Sequence, residues 1–153
     1  MRTPLPLLCL ALATLLTSCL PASAQQAAVG HFKRVAGVVT VERGGQSIAA
    51  TSGSALYQGD RIRTGRDGYA GITLADDTLL TTGPGSLLVL SRFAFDPTTQ
   101  EGEVKLSVPH GSFSSVSGLI AKKSPEKVEI KGRNVVLGVR GTEFVLEVPG
   151  DGE

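Results

Sequence analysis

Tyr69-Ala70-Gly71-Ile72-Thr73-Leu74-Ala75-Asp76-Asp77-Thr78-Leu79-Leu80-Thr81-Thr82 carries the pattern of a β-hairpin. Ala70, Ile72 and Leu74 fall on alternate positions, and successive strand side chains point to opposite faces, so the series marks one buried face of a strand. Asp76-Asp77 separates two apolar patterns and reads as the corner of a hairpin, because short acidic side chains bond their own backbone in turns. The same period of two returns at Val104, Leu106 and Val108, opposed by Glu103, Lys105 and Ser107. It returns again at Phe144, Leu146 and Val148, opposed by Glu143 and Glu147. Leu87-Leu88-Val89-Leu90 is apolar on both faces and is expected at the centre of the core or under a second sheet.

Working outward, strands are expected over Val35–Glu42, Arg61–Thr64, Tyr69–Ala75, Thr78–Thr82, Ser86–Phe93, Glu103–Val108, Ser112–Val116, Lys127–Lys131, Val135–Val139 and Thr142–Val148, with Gly44-Gly45 as a turn. Glycine and proline are the costliest residues in a helix interior, and the 19 glycines and 8 prolines leave no room for long helices. An all-β single domain of many short strands follows, a sandwich or a β-roll, with a short β-solenoid as the alternative. Pro109-His110-Gly111-Ser112 reads as a loop after a strand. Leu119–Glu126, the most polar stretch between strands, reads as an exposed loop suited to a mobile contact.

The N-terminus carries the marks of an export signal: Arg2, the apolar run Leu7–Leu16, and Ala22-Ser23-Ala24 before Gln25. The apolar run is too short to span a bilayer, which takes about 20 residues, and no second run of that length follows. Residues 1–24 are therefore expected to be a signal peptide, 25–33 a tether, 34–149 the β domain and 150–153 a tail. Leu16-Thr17-Ser18-Cys19 competes as a lipobox, in which Cys19 would be lipidated and become the first mature residue. Cys9 and Cys19 are the only cysteines, so neither cleavage leaves a disulfide. The expected location is periplasmic or secreted, or at the membrane surface if Cys19 carries lipid.

Little in the chain suggests chemistry. A formal net charge of +1 gives no basic surface for nucleic acid, and no Gly-x-Ser-x-Gly motif is present. The two histidines, His31 and His110, lie far apart in sequence and without cysteines do not make the usual zinc sets. Asp76-Asp77 and Asp96–Glu101 lack the spacing of a calcium loop. Arg61, Arg63 and Arg66 could hold an anion, although a solvated face explains them more simply. No catalytic residue, metal or cofactor is expected.

Four phrases occur in order: Gly37-Val38-Val39-Thr40-Val41, Gly59-Asp60-Arg61-Ile62-Arg63-Thr64-Gly65, Ala70–Leu80, and Gly138-Val139-Arg140-Gly141-Thr142-Glu143-Phe144-Val145. Together they resemble the FecR domain family, the periplasmic module named for the iron-dicitrate sensor protein. The resemblance implies a non-enzymatic role in sensing or protein interaction at the cell envelope, with an unidentified envelope protein or small ligand as partner. A structural envelope lipoprotein or scaffold anchored through Cys19 is the alternative. Relative to sigma-regulating members, this looks like a free-standing copy without the anti-sigma segment or membrane helix. The family motif maps to Gly59, Asp60, Ile62, Thr64, Gly65, Gly138, Val139, Arg140, Gly141, Thr142 and Phe144, all read as architecture. Asp77 stands where the family usually has glycine, and Gly132-Arg133-Asn134 replaces the commoner Thr-Pro. Arg140 is expected to pair with a carboxylate, Asp60 being the first candidate.

Overall fold

The computed structural model describes residues 26–138 and 143–150. The strands run β1 (Gly30–Ala36), β2 (Val39–Arg43), β3 (Gln46–Ala49), β4 (Ala55–Leu56), β5 (Arg61–Thr64), β6 (Tyr69–Leu74), β7 (Leu79–Thr82), β8 (Leu87–Phe95) and β9 (Gly102–Val116). A short helix α1 (Leu119–Lys123) and a 3-10 turn (Pro125–Lys127) precede β10 (Val128–Lys131), β11 (Val136–Gly138) and β12 (Glu143–Val148). The ladder order is β3-β2-β5-β8-β9-β7-β6-β1-β4, with β10 and β12 also on β9 and β11 on β10. All pairs are antiparallel except β9 with β10. The result is an all-β domain in which one sheet curls into a half-barrel. A solenoid would stack parallel coils throughout, so that alternative is set aside.

Alternation places the core as the sequence implies. Ala70, Ile72 and Leu74 are buried, as are Val104, Leu106 and Val108, and Leu88 and Leu90 at the centre of the sheet have no exposed surface. Leu87 is buried too, which agrees with a segment apolar on both faces.

Four local expectations change. The stretch read as a tether enters the fold at β1, whose Phe32 has 0% exposure and whose backbone pairs with β6 from Gly30 to Ala36. One aromatic among small and polar residues was enough to fill the core, because a strand needs only alternate apolar positions. The single strand expected over Val35–Glu42 is two, β1 and β2, broken at Gly37, whose φ of 62° turns the chain from one half of the sheet into the other. A Cβ there would lie 2.2 Å from the Asp67 carbonyl oxygen, so a side chain is excluded as well as strained.

Conversely, the loop expected at Pro109-His110-Gly111-Ser112 lies within one 15-residue strand. The first part of β9 pairs with β8 and β10, and after the φ of 99° at Gly111 the second part pairs with β7 and β12. Proline is tolerated because the β8–β9 register shifts here, between the pairs Leu87–His110 and Val89–Ser107, and a bulge is where sheets accept a missing donor. The expected mobile loop over Leu119–Glu126 is α1 and the 3-10 turn, pinned to the core by Ile120 at 0% exposure.

Candidate functional site

Two buried carboxylates stand out, and both belong to phrases singled out in the sequence. Asp60 has no exposed surface. Its Oδ1 accepts from Arg43 Nε at 2.7 Å and its Oδ2 from Arg43 Nη2 at 2.7 Å, while the Tyr57 backbone N–H donates to Oδ2 at 2.9 Å. Arg43 also donates to the Ala55 carbonyl at 3.1 Å and lies over the Tyr57 ring at 4.2 Å from its centroid. The hydrogen bonds to Asp60 hold the Arg43 guanidinium above its ordinary pKa, against a smaller opposing effect of burial. This planar fork is the geometry that arginine, and not lysine, supplies.

Asp76, the second buried carboxylate, accepts from Thr78 N at 3.1 Å, Thr78 Oγ1 at 2.7 Å and Ile120 N at 3.4 Å. Its backbone oxygen accepts from Leu119 N at 2.8 Å. Asp76 therefore satisfies N–H groups at the start of α1 that the helix cannot satisfy itself. The turn expected at Asp76-Asp77 is present, and Asp77 takes a φ of 64°, a left-handed conformation that aspartate tolerates better than most residues. Asp60 and Asp76 each spend their oxygens on backbone and partner side chains.

The rest of the Gly59–Gly65 phrase is held by burial and by bonds to backbone groups. Gly59 has a φ of 91° and donates to the Leu90 carbonyl at 2.8 Å. Ile62 is fully buried. Thr64 Oγ1 donates to the Gly83 carbonyl at 2.6 Å and accepts from Ser86 N at 2.8 Å, fastening the turn between β7 and β8. Gly65 donates to the Val38 carbonyl at 2.8 Å. In the second phrase, Gly138 ends β11, and Phe144 packs against the core with its ring 5.9 Å from that of Phe113. Val139, Arg140, Gly141 and Thr142 lie outside the described residues, as does Cys19, and the cation facing Asp60 among the described residues is Arg43.

Arg61 and Arg63, weighed as an anion site, both turn to Glu42, at 3.2 Å each. His110 Nδ1 lies 3.0 Å from the Gly85 carbonyl, and His31 sits apart from it on β1. Among the described residues no group of three or more His, Cys, Asp or Glu could hold a metal ion. Asp96 bonds the backbone of Thr98 and Thr99, and these bonds draw its pKa below the usual carboxylate range. Glu103 is lowered chiefly by its hydrogen bond to Lys105.

Residues 60–153 match the FecR protein family. This chain belongs to the FecR family. The matched segment opens on Asp60, so the first four strands of this FecR domain, and Arg43 with them, lie outside it even though β1 and β2 are integral to the sheet. Comparison with curated proteins gives no match. A solved structure described as a cell surface anchoring domain is 29% identical, with 40% of this chain and 82% of that one covered and a TM-score of 0.39.

Among the described residues of the FecR domain, no helix is long and apolar enough to cross a membrane. Reading the sequence missed Arg43, Phe32 and Ile120. Arg43 gave no signal beyond its place before the Gly44-Gly45 turn, whereas Phe32 and Ile120 were apolar residues in stretches judged by their polar neighbours.

Proposed function

We propose that this FecR-family protein is an exported, non-enzymatic module of the cell envelope that senses or transmits a signal by binding another envelope protein. The observation that carries this reading is the C-terminal side of the domain. There β12 has a ladder partner on one side only among the described residues, and a groove of about 340 Å³ beside it is lined by the apolar Val135, Leu146, Val148 and Pro149, with Arg133, Asn134 and Glu147 at its polar margin. An open ladder next to an apolar groove is what strand addition uses: backbone bonds give affinity, and the groove selects side chains. Val135 and Val136, at 41% and 61% exposure, leave apolar surface at the same place. The saturated carboxylates Asp60 and Asp76 support the absence of catalysis in this reading.

A photo-crosslinking residue in place of Val135, introduced into the protein in its native envelope, is expected to give one discrete adduct with a different envelope protein. The same residue in place of Arg63, on the charged face, should give none. No adduct at Val135, or the same adducts at both positions, would overturn the reading.

Intact mass of the native protein addresses its attachment. A chain beginning at Gln25 is expected, as a soluble envelope form. A lipid-bearing chain beginning at Cys19 would instead favour a membrane-tethered scaffold and restrict partners to that surface.

A further inference from the structure

The two halves of the sheet present opposite kinds of outer surface. On the half built from β2, β5, β8, β9 and β10, outward carboxylates are matched with cations. Glu42 meets Arg61 and Arg63, Glu103 meets Arg92 and Lys105, and Glu129 meets Lys131. On the other half, ordered β4-β1-β6-β7-β9-β12 with β4 covering only Gly30 and His31 of β1, the centre is uncharged and the charges stand at the rims. Lys33 and Arg34 lie on the β1 rim, and Glu143 and Glu147 on the β12 rim. None of these four forms an ion pair among the described residues, and Arg34 only stacks on Tyr69, at 5.8 Å from the ring centroid.

Between the rims lie a hollow and a knob. The hollow, about 430 Å³, is lined by Lys33, Arg34, Tyr69, Gly71, Thr73 and Leu79. Gly71 opens it by lacking a side chain. The knob is Val145, 72% exposed. Both belong to one cross-strand row, Arg34–Gly71–Thr81–Ser114–Val145, with each residue the register partner of the next. Gly71 and Val145 are thus three strand spacings apart, about 14 Å.

We infer that this face binds a second copy of the chain, in a two-fold dimer whose axis runs parallel to the strands between β7 and β9. Rotation about such an axis preserves height along the strands and exchanges left with right. Val145 of each copy then sits over Gly71 of the other, and the Lys33 and Arg34 rim meets the Glu143 and Glu147 rim. A two-fold perpendicular to the strands would bring like charges together, and like-charge contacts are what suppress a wrong arrangement. An isologous interface needs one self-complementary patch, and a knob and hole in one row with opposite charges at opposite rims is such a patch. The dimer uses the side-chain face of β12 and the partner-binding groove uses its edge; Glu147 borders both, so the variants at Lys33, Arg34 and Val145, which lie outside the groove, are the ones that separate the two readings.

Sedimentation velocity of the full chain over a concentration series tests the dimer. The wild type is expected to show a monomer–dimer equilibrium that weakens as salt rises from about 0.05 M to about 0.5 M, as rim charges become screened. Lys33→Glu with Arg34→Glu makes both rims acidic, and Glu143→Lys with Glu147→Lys makes both basic. Each should weaken self-association by about tenfold or more, and an equimolar mixture of the two should form a one-to-one dimer. All four positions are exposed, and circular dichroism confirms that the variants fold; Val145→Arg provides an independent variant should one of the pairs misfold. A wild type that stays monomeric, rim reversals that associate like wild type, or a mixture that remains monomeric overturns the proposal.

Discussion

Arg43→Met is expected to lower the unfolding free energy by about 3 kcal/mol, read as a shift of the urea midpoint at unchanged slope. Asp60 has 0% exposed surface and takes both of its guanidinium bonds from Arg43. Removing the cation leaves a buried carboxylate with the Tyr57 N–H as its remaining hydrogen-bond donor. Loss of one partner of a buried pair costs roughly 3–5 kcal/mol, and the lower end applies because the Arg43 side chain is 37% exposed and already screened by water. Arg43→Lys should fall between wild type and Arg43→Met, since it keeps the charge and loses the fork. Arg63→Ala, which removes an exposed partner of Glu42, should cost no more than about 1 kcal/mol. If Arg43→Met and Arg63→Ala shift the midpoint equally, the pair at Asp60 does not hold the fold.

Phe32→Ala should be as damaging, at about 3–5 kcal/mol, because a fully buried phenylalanine loses its transfer free energy and leaves a cavity. Phe32 is packed in the central cluster, and its N–H and carbonyl bond the Ser54 carbonyl and the Gly53 N–H at 2.9 and 2.7 Å. Thermal unfolding checks this, with Lys33→Ala beside it as an exposed neighbour that should change little. A loss under about 1 kcal/mol would mean that β1 behaves as the tether its composition suggested, and that the domain starts closer to the family match at Asp60.

These two residues mark where the sequence was and was not legible. Ala70, Ile72, Leu74, Val104, Leu106 and Val108 declared their strands because each alternates with polar neighbours over several positions, a local signal that needs no knowledge of the partner. Phe32 offered a single apolar position. Strand pairing is long-range, and the reason for Phe32 to be buried lies on β6, some forty residues away. Pro109 and Gly111 failed in the opposite sense: proline and glycine signal a break, and here they mark a strand that bends and changes neighbours without ending.

The candidate site shows the same division. Gly59, Asp60 and Thr64 could be recognised as turn-forming and hydrogen-bonding residues from their types, and each does bond backbone groups. Which cation reaches Asp60 could not be read, since Arg43 is seventeen positions away and joins it only through the pairing of β2 with β5. Likewise, the outward charges of the two sheet halves are alike in composition. Glu42 meets Arg61 and Arg63, and Glu103 meets Arg92, because β2 lies beside β5 and β9 beside β8, whereas Glu103–Lys105 and Glu129–Lys131 join positions two apart on one strand.

By itself the sequence determined the all-β class, the family motif and most of the core, because side-chain alternation and turn chemistry act over a few residues. The tertiary structure alone decided that β1 belongs to the sheet, that β9 serves both halves, and that Arg43 neutralises Asp60. It also set a knob, a hollow and two opposite rims in one cross-strand row. Each of these depends on register between distant strands, and register is fixed only when the whole core closes.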